Sequence, residues 1–340
     1  MKQNISHALK TIALSLCLSV AMSARAFEAK EVVIENKQDK VSLAGTLVTP
    51  DNHQPLAAIV LASGSGAQDR DETIIHHRPF KVIAESLADK GFAVLRIDDR
   101  GVGKSTGDAS AVTPESNVRD VEAAVDWLDS VYSKPVGIIG HSEGGQIAVR
   151  LAKNDNVDFI ITLAAPAWAG DSIIMSQGRA IAEAMTGKWE GEALQRKLLD
   201  IAKSQLPDFQ AHALLYLEIA NSLGEMAKVP QVQSQINQQI GAMLSPWYRE
   251  FLRYDPADDI KRVSIPWLAL NGSKDMQVLP ENLTTIKQLN PHCSTLLLDD
   301  LNHLFVKAPT GSPSEYASIM ETISPEVIDT IANWIDGAIL

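Results

Sequence analysis

Ser142 stands in a sequence pattern that can turn a serine into a nucleophile. It is the central residue of a G-x-S-x-G motif that begins at Gly140 and ends at Gly144. An apolar, β-branched run leads into the motif, and residues 146–152 have helical spacing. A sharp turn between a strand and a helix lifts the hydroxyl clear of a sheet, and a Cβ at either glycine would collide with neighbouring backbone. The pattern therefore predicts that Ser142 is the nucleophile of an acyl-transfer reaction.

A nucleophilic serine needs a base that takes its proton and a carboxylate that orients the base. We predict that His303 is the base and that Asp275 is the acid, because each follows the end of a predicted strand. The carboxyl ends of parallel strands lie at one edge of a sheet, where open α/β sheets place their sites. The chain order serine, aspartate, histidine occurs in known triads of this kind. Four other acids near strand ends are alternatives to Asp275: Asp98, Asp99, Asp299 and Asp300.

Two backbone N–H groups are candidates for stabilising the oxyanion of the reaction. The buried strand that ends near Leu61 is followed by the glycine-rich stretch 63–66, and such a loop can aim N–H groups at an anion. We predict that the N–H groups of Ser65 and Glu143 form an oxyanion hole. An ordinary flexible turn is the alternative for the loop.

Charged residues flank these loops. Charges of both signs occur in two short stretches, 68–72 and 98–104. We expect four of them to form ion pairs that hold the loops around the site: Asp69, Arg70, Asp98 and Arg100.

The elements that must position these residues alternate between strand and helix. An opening hairpin, residues 31–48, precedes a series of short apolar strands separated by amphipathic helices, which indicates a mostly parallel, doubly wound α/β sheet. The alternation stops at residues 169–257, where only helical stretches occur. We call this segment the helical insertion. It is either a packed helical bundle or a cap over an apolar pocket, and the core is then 27–168 and 258–340.

Composition limits the partners and the location of the protein. The 340 residues carry a formal net charge of −12, with a pI near 5.1, which argues against nucleic acid or an anionic membrane as a partner and favours a small neutral or apolar substrate. With the predicted triad, we expect this substrate to be a small ester or acyl compound. Residues 1–26 resemble an export signal cut after Ala26, so we expect a periplasmic or secreted protein with no stable membrane anchor after cleavage. Only Cys17 and Cys293 are present, and we expect no disulfide, no metal and no cofactor.

Several motifs together resemble those of an exported bacterial α/β-hydrolase of the serine aminopeptidase S33-like and acyl esterase group. They are residues 140–145, 63–71, 98–105, 245–251 and 271–275. The resemblance implies the α/β-hydrolase fold with an inserted helical cap. It also implies a serine nucleophile, which disfavours the dehalogenase and epoxide hydrolase types that use an aspartate.

The sequence therefore predicts a serine hydrolase that cleaves carboxylic esters through an acyl-enzyme. An aminopeptidase or amidase is the alternative, and it would need an acid such as Glu143, Glu183 or Asp171 to hold a substrate ammonium. A catalytically silent binding protein with the same fold is the alternative from another class.

Overall fold

The computed structural model describes residues 27–51 and 53–340, so the predicted export signal and its cleavage site lie outside the described residues. Eight strands form one sheet in the order β1-β2-β4-β3-β5-β6-β7-β8. The strands are β1 (Phe27–Asn36), β2 (Val41–Pro50), β3 (Ala58–Ala62), β4 (Ala93–Ile97), β5 (Val136–His141), β6 (Phe159–Leu163), β7 (Trp267–Gly272) and β8 (Ser294–Leu298). β1, β2 and β4 pair antiparallel, and all other neighbours are parallel. The predicted mostly parallel sheet with an opening hairpin is confirmed.

Eleven α-helices accompany the described strands. They are α1 (Pro79–Asp89), α2 (Pro114–Val131), α3 (Glu143–Leu151), α4 (Gly170–Thr186), α5 (Glu192–Lys203), α6 (Asp208–Leu223), α7 (Pro230–Met243), α8 (Pro246–Arg253), α9 (Ala257–Arg262), α10 (Glu281–Leu289) and α11 (Pro325–Ala338).

The sheet is buried on both faces. Every residue of β3 to β7 is buried, as expected for strands that are apolar at almost every position. Side chains from α2, α3 and α10 pack on one face, and side chains from α1 and α11 pack on the other. The sheet is therefore doubly wound, as predicted.

The helical insertion has a hydrophobic cluster of its own, built from side chains of α4 to α8. The sequence predicts helices over residues 181–186, 191–204, 211–222 and 233–243 of this segment, and it misses α8 and residues 170–180 of α4. The first residue of α4, Gly170, has to be a glycine because a Cβ there would lie 1.9 Å from the carbonyl oxygen of Phe251 in α8. That contact joins two distant segments, so local helix propensity cannot reveal it.

Within residues 27–51 and 53–340, no helix has the length and apolarity needed to cross a membrane. In the same part of the chain, no three histidine, cysteine or acidic side chains come together as metal ligands would.

Candidate active site

Ser142 occupies the turn between β5 and α3. Its backbone has φ 52° and ψ −118°, a region that is costly for a residue with a side chain, by about 1–3 kcal/mol. Two hydrogen bonds hold the turn: the Ser142 N–H donates to the Leu163 carbonyl at 2.8 Å, and the Gly145 N–H donates to the Ser142 carbonyl at 2.9 Å. The strained turn is therefore fixed by the neighbouring strand and by the helix that follows it.

The two glycines of the motif are required by close backbone contacts. A Cβ at Gly140 would lie 2.0 Å from the carbonyl oxygen of Gly144. A Cβ at Gly144 would lie 2.0 Å from the carbonyl oxygen of Ala62, at the end of β3. The collision predicted from the motif is thus present at both positions. We refer to residues 140–144 as the elbow.

His303 and Asp275 lie side by side at the carboxyl edge of the sheet. The distance from His303 Nδ1 to Asp275 Oδ2 is 2.8 Å, and both residues are buried. The other oxygen of Asp275 accepts hydrogen bonds from the N–H groups of Gln277 (2.8 Å) and Val278 (2.9 Å). The structure therefore brings the predicted base and the predicted acid together, in an arrangement that fixes the ring of the base.

Three of the four competing acids have other partners. Asp98 binds the guanidinium of Arg70, and Asp300 binds Lys274 at 2.8 Å. Asp99 accepts hydrogen bonds from the Ser63 hydroxyl at 2.8 Å and from the Gln68 N–H at 2.9 Å.

The elbow and the His303 loop meet through His141, the residue before Ser142. The rings of His141 and His303 have centroids 4.7 Å apart, and His141 Nε2 lies 3.0 Å from the carbonyl oxygen of His303. The glycine-rich loop reaches the same place, since a Cβ at Gly64 would lie 3.3 Å from Ser142 Cβ. The loops that follow the parallel strands β3 and β8 thus both contact the elbow, which follows β5.

The two predicted oxyanion donors are both available. Glu143 is the first residue of α3, so its N–H has no intrahelical acceptor. The Ser65 N–H has no hydrogen-bond partner among the described residues, while the Ser65 carbonyl accepts from Gln68 Nε2 at 3.0 Å. The Gly64 N–H is occupied, because it donates to Glu72 Oε1 at 2.6 Å.

The Glu143 side chain points into the protein and contacts the helical insertion. It accepts hydrogen bonds from Trp247 Nε1 of α8 at 2.9 Å and from Asn117 Nδ2 at 3.4 Å. Burial raises the pKa of Glu143 to about 7. Burial also raises the pKa of Asp99 to about 7. Two carboxyl groups near the elbow are therefore protonated about half of the time near pH 7.

A cavity of about 490 Å³ lies between the loops that follow β3 and β4 and the helical insertion. Trp247 and Asn117, which bind the Glu143 side chain, line it together with Gly66. Its remaining lining is largely apolar: Ala67, Ala109, Val112, Gly241 and Pro246, with Asp99, Arg100, Ser110 and Ser245 as polar members.

The expected ion pairs around the loops are present for three of the four residues. Arg70 forms two hydrogen bonds to Asp98, at 3.0 Å from Nε and 2.8 Å from Nη2. Arg100 pairs with Asp120 and Asp39. The prediction was wrong for Asp69, which instead accepts hydrogen bonds from the N–H groups of residues 71 and 73 and from the Thr73 hydroxyl.

Glu72 is the residue of this site that the sequence did not reveal. It is 1% exposed, has φ 52°, and its Oε1 accepts from both Gly64 N–H and His141 Nδ1. It stands in a run of polar and charged residues with no periodicity, so the only available signal was its closeness in the chain to the glycine-rich loop.

Comparison with known proteins places this site in a family. Residues 39–305 match the family model described as X-Pro dipeptidyl-peptidase (S15 family). Esterase EstD of Thermotoga maritima is 26% identical over 313 residues, which cover 91% of this chain and 67% of that protein.

Solved structures share the fold. The Pyrococcus furiosus esterase Pf2001 has a TM-score of 0.60 with 17% identity, over 94% of each chain. A malate-bound thermophilic esterase from Thermogutta terrifontis has a TM-score of 0.53 with 20% identity, over 91% of this chain and 99% of that one. The predicted α/β-hydrolase fold is confirmed.

The family match corrects one part of the resemblance drawn from the motifs. The predicted α/β-hydrolase type and the predicted hydrolase activity are confirmed. The family whose model matches, however, is S15 and not the S33-like group. Because the family model covers residues 39–305 of 340, the chain belongs to the X-Pro dipeptidyl-peptidase (S15) family of hydrolases.

Proposed function

We propose that this protein is a serine esterase in which Ser142, His303 and Asp275 act as a triad. The observation that carries the proposal is the 2.8 Å contact between His303 Nδ1 and Asp275 Oδ2, at the sheet edge that also holds the strained Ser142 turn. His303 Nε2 would take the proton of the Ser142 hydroxyl as its oxygen attacks the ester carbonyl. The same ring would then protonate the leaving alcohol, and water would release the acid from the acyl-enzyme.

The N–H groups of Ser65 and Glu143 would bind the oxyanion formed in each step. Neither donor has an acceptor among the described residues, which supports this role. Loss of one such donor typically costs about 3–4 kcal/mol in the transition state.

Several observations favour a small ester with an apolar part as the substrate. The cavity of about 490 Å³ beside Gly66 has a mainly apolar lining, and the net charge of −12 disfavours large anions. EstD and the two solved esterases are similar proteins named for ester hydrolysis. The helical insertion would serve as the cap, since Trp247 of α8 contacts Glu143 beside the nucleophile.

The test compares hydrolysis of short p-nitrophenyl esters by the wild type, Ser142→Ala and Ser130→Ala. Ser130 is an exposed residue at the end of α2 and serves as the matched control. We expect Ser142→Ala to lose at least about 1,000-fold in kcat, because the nucleophile is gone, and Ser130→Ala to keep the wild-type rate. Equal rates for Ser142→Ala and the wild type would exclude the acyl-enzyme mechanism.

A peptidase activity is the second candidate, and the family match is the observation that favours it. Of the acids considered for holding a substrate ammonium, Asp171 and Glu183 line a separate cavity of about 910 Å³, and Asp171 pairs with Lys203. Glu143 is occupied by Trp247, whereas Asp99 lines the cavity beside Gly66. Turnover of a Xaa-Pro p-nitroanilide that exceeds ester turnover would favour the peptidase.

We also propose that residues 1–26 direct export and are then removed, which would give a periplasmic or secreted enzyme. The basic, apolar and A-x-A regions of this segment support the proposal. Mass spectrometry of protein from cell fractions should find Phe27 as its first residue.

A further inference from the structure

His141 has an acceptor at each of its two ring nitrogens. Nδ1 lies 2.9 Å from the Glu72 carboxylate, and Nε2 lies 3.0 Å from the His303 carbonyl oxygen. Neither partner atom carries a proton when Glu72 is ionised, and a neutral imidazole has only one N–H. With Glu72 ionised, both contacts are hydrogen bonds at the same time only if the ring is an imidazolium.

The contacts of Glu72 are those of a hydrogen-bond acceptor. It is 1% exposed, and its Oε1 accepts from the Gly64 N–H at 2.6 Å as well as from His141. Its Oε2 is buried without a hydrogen-bond partner in the described chain. A buried carboxylate in that position needs a cation, and His141 is the cationic side chain in contact with it.

The other titratable groups that face His141 leave this assignment unchanged. The His303 ring packs against it with centroids 4.7 Å apart, and Asp275 lies beyond that ring, where it binds His303 Nδ1. Burial lowers the pKa of His141. The charge and hydrogen bond of Glu72, the hydrogen bond to the His303 carbonyl and the charge of Asp275 together raise this pKa by more, so the net shift is upward.

We propose that Glu72 and His141 form a buried carboxylate–imidazolium pair that positions the reacting groups of the esterase. The inference rests on the proposed function. The Glu72 carboxylate binds the N–H of Gly64 and so positions the glycine-rich loop. His141 is itself part of the elbow, and its Nε2 binds the carbonyl oxygen of His303, the proposed base. Glu72 and His141 are positioning residues, because the groups that would react are Ser142 and His303.

The substitution Glu72→Gln tests the pair because it keeps the size of the side chain and removes its charge. The amide oxygen can still accept from the Gly64 N–H and from the Nδ1–H of a neutral His141 ring, but Nε2 of that ring then has no proton for the His303 carbonyl. We expect kcat for a p-nitrophenyl ester to fall about 10- to 100-fold while KM stays within about threefold, as is typical when a group that orients a reacting residue is lost. Glu85→Gln, in which the carboxylate lost is on α1 and faces Lys81, is the control and should keep both constants.

A second measurement reads the charge of His141 without any turnover. We expect ¹⁵N NMR of the imidazole rings to show that both nitrogens of His141 stay protonated in the wild type above the usual titration range of histidine. The ring signal is assigned by its loss in His141→Gln. In Glu72→Gln, the His141 signal should be that of a neutral ring at about pH 7 and should titrate at lower pH.

The results separate this inference from the proposed function. A neutral His141 in the wild type at about pH 7 would overturn the inference, whatever the activity. The inference would also be overturned if Glu72→Gln folded, made His141 neutral and still had the kcat of the wild type. Full activity in Ser142→Ala would instead overturn the esterase mechanism, and the NMR result would be unaffected by it.

Discussion

The glycines of the elbow are tightly surrounded by other backbone atoms, whereas two glycines inside α4 and α7 in the helical insertion are not. At Gly140 and Gly144, an added Cβ would lie 2.0 Å from a backbone carbonyl oxygen. At Gly178 in α4, it would meet the described residues no closer than 3.6 Å, and at Gly241 in α7 it would meet none of them within 4 Å. Backbone contacts therefore fix the shape of the elbow, whereas α4 at Gly178 and α7 at Gly241 have room for larger side chains.

The same difference appears in burial. All residues of β5 and nearly all of α3 are buried, but only two of the 17 residues of α4 are. Large apolar side chains of the insertion remain exposed, such as Phe209 at 73% and Leu217 at 52%. Substitution in the insertion should therefore change substrate choice more readily than the geometry of the triad.

The largest expected difference between the two regions is in stability. We expect Gly144→Ala to lower the free energy of unfolding by about 3 kcal/mol or more, because the Cβ has to displace the backbone of Ala62 at the end of β3. Gly178→Ala, in the middle of α4, should raise it by about 0.5–1 kcal/mol, since alanine loses less conformational entropy in a helix than glycine does.

Urea unfolding of the two variants and the wild type measures both effects. A Gly144→Ala protein as stable as the wild type would show that the elbow tolerates a shift of its backbone. The proposed contrast with the insertion would then be lost.

The elbow region and the helical insertion are in contact at Glu143, which follows Ser142 and binds Trp247 of α8. We expect the free energy of unfolding to depend on pH because of this carboxyl group. Its pKa is about 7 in the folded chain, against an ordinary value of 4.5. Between these values the folded state keeps a proton that the unfolded chain has lost, so stability falls as the pH rises from about 4.5 to 7. The pKa difference corresponds to roughly 3 kcal/mol.

Glu143→Gln should remove this contribution, because the amide has no charge at any of these pH values and can still accept a hydrogen bond from Trp247 Nε1. Asp99 has a pKa raised in the same direction and remains in the variant, so the informative quantity is the difference between the two proteins. Unfolding in urea at several pH values between about 4.5 and 8 measures it. Parallel curves for the wild type and the variant would mean that Glu143 is not held neutral by burial.

The pattern of apolar strands in the sequence was sufficient to predict the sheet and the edge at which its functional loops lie. Ser142, Asp275 and His303 were selected because parallel strands end at one edge, and His303 and Asp275 are indeed in contact. Glu72 could not be selected in this way, because its role depends on contacts with Gly64 and His141 that no local period encodes. For the same reason α8 was missed: its eight residues are positioned by Glu143 and by the other helices of the insertion.

The smallest expected effect concerns the cavity of about 490 Å³, which Gly241 lines. A larger side chain at this position would reduce the volume open to the substrate. A leucine at this position in α7 has no steric obstacle at its Cβ and would occupy part of the volume of about 490 Å³. The helix should tolerate Gly241→Leu, since leucine has the higher helix propensity. The esterase rate should then depend more steeply on the length of the acyl chain.

We expect the ratio of kcat/KM for p-nitrophenyl octanoate to that for the acetate to fall about tenfold in Gly241→Leu, because a methylene lost from an apolar pocket is worth about 1–3 kcal/mol. Gly178→Leu, in α4 and outside the lining of this cavity, is the matched control and should leave the ratio unchanged. A ratio that moves equally in both variants would mean that the insertion acts through its overall packing. A ratio that moves in neither would place the acyl group elsewhere, and the open volume beside Gly66 would then have no part in choosing the substrate.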